Sequence, residues 1–320
     1  MRNILSLLIV IFLLFQSCDN ESKLEKDIAK IDVNVQVERF DKLFAESSPN
    51  DLPKLKSAYP FMFSKQYADS IWIARMNDTL QQQMFSEIEK KYADMTEINQ
   101  EIAGLFQHLK YFNPTFKTPR VITLINDVEY RSKIIVTDSI ALIAIDNYLG
   151  SDHEFYGSIQ MYLRANFEAS QIVSDLATEY AKKQIYQSSR KSLIDEMVYL
   201  GKILYYKDIM IPFKTDEEKI GYTKEQLSWA LENESNIWEF FVERELLFET
   251  DPKLAGRFIN PGPFTKFNLE LDAESPGRLG QYIGWQIVRA YMENNDSDFK
   301  DMLQMDATEL FNKSKFKPRK

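Results

Sequence analysis

The chain has 320 residues, with 39 Lys and Arg against 48 Asp and Glu, and a formal net charge of −9. That balance argues against nucleic acid as a partner, since phosphate binding rewards an excess of Lys and Arg. One cysteine excludes an internal disulfide framework, whereas 44% apolar and 13% aromatic residues supply material for a large core.

The first element reads as an export signal. Arg2 gives a positive start, and the run from Ile4 to Phe15 is apolar except for Ser6. It is too short to span a bilayer, which takes ~20 apolar residues for ~30 Å of hydrocarbon. Ser17 and the lone Cys18 follow, and the chain then turns polar with Asp19-Asn20-Glu21-Ser22. The pattern resembles the lipobox of bacterial lipoproteins. It implies that residues 1–17 are removed as a signal peptide and that Cys18 becomes the lipid attachment point. Residues 18–30 then serve as a tether and residues 31–320 as a single globular domain. Two or three acyl chains hold a protein stably at a membrane, where one holds it only marginally.

Beyond the tether, only 10 Gly and 11 Pro punctuate the chain, which predicts long helices. From Thr79 to Ala93, Leu80, Met84, Phe85 and Ile88 form a stripe with Asp78 as N-cap. From Thr96 to Phe112, Ile98, Ile102, Leu105, Phe106 and Leu109 do the same. After Pro119 the texture becomes β-branched and short. "RVITLIND" (120–127), "KIIVTD" (133–138) and "IALIAID" (140–146) predict a small sheet joined by "VNVQVERF" (33–40), with Asp127, Asp138 and Asp146 as turn residues. Past Gly150 helical texture returns, and Asp216-Glu217-Glu218 reads as a solvated helix start. The expected fold is α+β and predominantly helical, with a small central sheet followed by a helical carboxyl-terminal half.

The segment "ESPGRLGQYIGWQIVRAYMENN" (274–295) predicts a helix capped by Ser275, with Pro276 in its first turn and Leu279, Ile283, Ile287 and Tyr291 on one face. Gly277, Gly280 and Gly284 each lower helix propensity by ~1 kcal/mol relative to Ala. They require a compensating close approach, either of another backbone or of a docked ligand or partner.

Chemistry is sparse. His108 lies in a helical stripe and reads as a packed residue. His153 has Asp152 and Glu154 beside it but no further nitrogen ligand at metal-site spacing. There is no P-loop, dinucleotide fingerprint or nucleophile elbow. No cofactor is expected. Among 48 acidic residues no carboxylate pair stands out, so a hydrolase of envelope peptides or glycans remains the alternative reading. A periplasmic solute-binding lipoprotein would need two α/β lobes, and only one strand-rich region is present.

The segments "EKDIAKIDVNVQVERFDKLF", "FKTPRVITLINDVEY", "DEMVYLGKILYYKDIMIP", "GYTKEQLSWALENESNIWEFFVERELLFETDPKL" and "RFINPGPF", followed by "ESPGRLGQYIGWQIVRAYM", resemble the gliding-motility lipoprotein family GldB over essentially the whole chain. The resemblance implies a lipid-anchored cell-envelope protein needed for gliding, partnered with the membrane and with other motility components of the linked type IX secretion machinery. The carboxyl-terminal half is also similar, more distantly, to zinc metallopeptidases with an H-E-x-x-H helix. "QIVSDLATEYAKKQ" would take the place of that helix, with Asp175 and Glu179 where histidines belong and Leu176 where the base belongs. Leu200 would fall at the third ligand, and a second register over Asp195-Glu196 also lacks both histidines. The resemblance therefore implies a zincin-like scaffold without its metal motif, and no enzyme.

Overall fold

The computed structural model describes residues 23–269 and 272–320. The export signal and the acylation site at Cys18 lie outside the described residues.

The chain is mostly helical around one four-stranded sheet of order β1-β2-β4-β3: β1 (Glu38–Arg39), β2 (Arg120–Leu124), β3 (Ile134–Val136) and β4 (Ile140–Ala144). β1, β2 and β4 run parallel, and β3 pairs antiparallel with β4 at the edge. After β2 the chain crosses to that edge, turns at Thr137-Asp138-Ser139 and inserts β4 beside β2. The three expected strands are present but shorter than their apolar runs, because Asp127, Asp138 and Asp146 lie beyond the paired residues. "VNVQVERF" contributes only two paired residues.

Strand alternation gives each sheet face its own core. Val121, Ile134, Val136, Ala141 and Ile143 face the larger core, which the carboxyl-terminal helices share. Ile122 belongs to a smaller core with Phe40, Leu52, Leu55, Phe63 and Met76. This second core is roofed by α1 (Phe40–Ala45), α2 (Leu52–Ala58) and α3 (Asp69–Met76). α4 (Thr79–Lys91) begins at Asp78, whose side chain accepts the Gln81 amide at 2.9 Å, as the N-cap reading requires. α5 (Thr96–Phe112) has the expected bounds, and it buries all five stripe residues together with His108.

In the carboxyl-terminal half, α6 (Ile172–Lys182) packs on β3, and α7 (Leu193–Met210) packs along α8 (Leu279–Asn294). The contact between α7 and α8 is made by bare backbone. A Cβ on Gly284 would overlap the Met197 carbonyl, and one on Gly201 would overlap the Gly284 carbonyl. α8 starts later than expected. Ser275, Pro276 and Gly277 precede it, Arg278 at φ 64° is its N-cap residue, and Ser275 bonds to Thr265 and Asp272 instead of capping. The Leu279 amide is met by the hydroxyl of Thr265 at 3.3 Å, so the cap comes from a neighbouring loop.

Two lysines of α7 are buried and cap other helices. Lys202 Nζ donates to the carbonyls of Leu303 and Met305 at 3.1 and 2.6 Å. Lys207 Nζ donates to the Lys219 carbonyl at 2.8 Å and to Ser174 Oγ at 2.9 Å. Burial pulls both ammonium groups down to about 8. Among the described residues no helix is long and apolar enough to cross a membrane.

Candidate functional site

The residues at the degenerate metal-helix positions come together on the half-buried side of α6. Asp175 sits in its first turn beneath β3, and Glu179 lies one turn further on the same face. Each carboxylate already has a cation. Asp175 forms an ion pair with Lys133 from the start of β3 and accepts the Tyr148 hydroxyl at 2.9 Å; Glu179 is held by Lys182 at 2.6 Å. Lys133 also lies 5.1 Å from the centre of the Tyr148 ring, and burial together with Asp175 pushes the Tyr148 hydroxyl well up.

The surroundings are cationic. The charges of Lys207 and Arg278 act on Asp175 from the interior side, and among the described residues neither forms an ion pair of its own. Arg278 donates instead to the carbonyls of Ile220 and Gly221 at 2.9 and 2.8 Å and stacks over Tyr222. A divalent cation at Asp175 would therefore displace an ammonium and meet two further positive charges. Leu176, at the general-base position, is wholly buried in the main core, and Leu200 packs against the same core from α7. In the second register Asp195 completes a capping box with Ser192 and pairs with Arg190, while Glu196 pairs with Lys191 at 3.2 Å. Among the described residues no group of three or more His, Cys, Asp or Glu could hold a metal ion.

The other singled-out residues have structural partners. His108 bonds the Gly104 carbonyl and Glu25, and His153 accepts the Phe155 amide at the start of a short 3-10 turn. Gly277, Gly280 and Gly284 are all backed by protein. A Cβ would meet the Gly262 carbonyl at the first, Ile259 and the Phe258 carbonyl at the second, and the Met197 carbonyl at the third. Backbone packing thus accounts for the glycines. Asp216 is not simply solvated, because Arg289 grips it and Asp208 with paired bonds of 2.9 to 3.0 Å while stacking on Trp285. Asp146 is no mere turn residue either: it is fully buried and accepts the amides of Asn126 and Val128.

Lys133, Tyr148, Lys207 and Arg278 were not singled out by sequence. They lie on four separate elements, and periodicity reports only which face of its own element a residue occupies. The profile of a family described as gliding motility protein GldB matches residues 21–318. No curated protein and no solved structure gives a match.

Proposed function

The chain belongs to the gliding motility GldB family, and from that premise we propose that it is a lipid-anchored, non-enzymatic adaptor of the gliding machinery and of the type IX secretion apparatus linked to it. The family match over nearly the whole chain carries this reading. The lysines on Asp175 and Glu179 support its non-enzymatic part, since hydrolysis by a metal needs free ligands and a base on one helix face. The zincin-like scaffold belongs to the same proposal. It is supported by the placement of α6 under an antiparallel edge strand with α7 beside it.

The test is purification of a carboxyl-terminally tagged protein from detergent-solubilised membranes. Stoichiometric recovery of motility or secretion components is expected, and recovery of the protein alone would remove the adaptor. Glu179→Gln and Glu196→Gln are expected to leave colony spreading intact. Loss of spreading at normal protein levels would instead restore the hydrolase reading.

A further inference from the structure

Within the stretch expected to act as a tether, Lys23–Ile28 is a helix docked on the body. Ile28 is buried, and the Glu25 carboxylate meets Nε2 of the buried His108 on α5 at 3.1 Å. The side chain of Gln107 donates to the Ile31 carbonyl at 3.0 Å, and Lys110 donates to the Asp32 carbonyl at 3.1 Å. The chain from Lys23 onward is therefore fastened to α5. Cys18 stands five residues before Lys23, and five extended residues span at most about 18 Å. A folded body of roughly 300 residues has a radius of gyration of about 19 Å, so lipid held on Cys18 brings only the surface beside Lys23 onto a bilayer.

That surface is apolar at its centre. Gly104, His108 and Tyr111 follow one another along one stripe of α5. Phe213, just beyond the end of α7, lies on this stripe: its ring centre is 6.5 Å from that of His108, and a Cβ on Gly104 would come within 2.9 Å of the ring. Tyr111 is 42% exposed, Phe213 47%, and Leu24 on the docked helix 39%. Three elements thus each present a large apolar side chain around one buried histidine. Lys23 and Lys26, on either side of Leu24, are exposed and form no ion pair among the described residues, whereas Glu25 is held by His108 and Asp27 by Lys30 at 2.8 Å. Aromatic rings with ammonium groups beside them match the interfacial region of a bilayer, where rings sit at headgroup level and lysines reach the phosphates.

We propose that the face formed by Leu24, Tyr111 and Phe213 lies on the phospholipid surface and fixes the orientation of the body on its anchor. The proposal rests on the lipid-anchored reading of Cys18, because the short span from Cys18 to Lys23 is what selects lipid as the occupant. Three half-exposed side chains would not hold a free protein at a membrane. The anchor keeps them within reach of it, and the contact is then intramolecular.

The test uses the acylated protein reconstituted in vesicles of phosphatidylethanolamine and phosphatidylglycerol, with part of the lipid carrying a nitroxide near the headgroup end of its acyl chain. Cys18 is the chain's one cysteine and acylation occupies its thiol, so an introduced cysteine takes a nitrobenzoxadiazole label at a single place. Tyr111→Cys and Phe213→Cys report on the proposed face. Phe248→Cys is the control: it is 58% exposed, and its neighbour Leu247 accepts the Ile194 amide at the far end of α7, whose 18 residues span about 27 Å. The two face labels, seated roughly 5–10 Å into the interface, are expected to lose at least about half of their emission to the nitroxide lipid, and the control to keep its own. Phe213→Asp should restore most of the emission lost by the Tyr111 label while the protein stays on the vesicles. Equal quenching at all three positions, or quenching at Tyr111 that Phe213→Asp leaves unchanged, would overturn the proposal. Absence of quenching at both face positions would also overturn it and leave the face to a second copy or a protein partner. The comparison of the three labels decides even where Phe213→Asp does not fold. The two readings fail separately: a purified protein whose mass shows Cys18 unacylated removes the anchor and this face with it, whereas an acylated protein without quenching removes the face alone.

Discussion

Asp146 accepts the backbone amides of Asn126 and Val128 and the side-chain amide of Asn147, and burial raises its carboxyl to about 6. A carboxyl whose folded-state pKa lies above its unfolded value contributes its stability below the unfolded value and loses it as pH rises through the folded one. Between about pH 4 and about pH 7 the wild-type protein should therefore lose about 2 kcal/mol relative to Asp146→Asn, which does not titrate. Urea unfolding of both proteins across that range measures the gap. A gap that does not change with pH would mean that the carboxylate is solvated or paired in the folded state. Asp146 looked like one of three equivalent strand-ending residues. Its neighbours in sequence are turn-like, and only the return of β4 beside β2 encloses it under the 126–128 loop.

Among the elements, the α7–α8 crossing depends on two glycines facing each other. Gly284→Ala must push the helices apart at the Met197 carbonyl, where backbone cannot rotate aside, and is expected to cost at least about 3 kcal/mol or prevent folding. Gly256→Ala is the control. Nothing lies within 4 Å of its would-be Cβ, and it should be neutral or stabilising by less than about 1 kcal/mol. Thermal melts of the two variants test the pair, and equal melting temperatures would refute the close crossing. The sequence showed that these glycines needed a reason, since a helix does not carry them without one. It did not show which surface supplied it, and it placed the helix start at Ser275. The residue that receives the Leu279 amide, Thr265, lies on a loop outside the segment, so local capping rules could not find it. By contrast, α5 was legible to the residue, because a stripe of five apolar residues along one helix is local information.

At the scale of the whole fold, the described residues form two cores of unequal size divided by one sheet. The smaller is roofed by short helices, and the Arg39, Asp41 and Glu89 ion pairs tie its first helix to α4. Fewer buried contacts mean a lower local opening free energy. Amides of residues 52–76 are therefore expected to exchange with deuterium well before those of α7 and α8, and uniform protection would show that the sheet couples both faces into one unit.

Residue order alone was enough to indicate an acidic, mainly helical protein with a small central sheet, and its long segments carried the resemblance to the gliding motility family to which the chain belongs. The first is written in composition and periodicity, the second in continuous stretches of chain. Tertiary structure decided which charges meet: Lys133 on Asp175, Arg289 between Asp208 and Asp216, and two lysines buried as caps for distant helices. It also decided that the glycines serve helix packing. The division has a physical cause. Hydrophobic periodicity is set by the geometry of one element, whereas charge pairing and backbone contact depend on distances between elements that only the packed chain fixes.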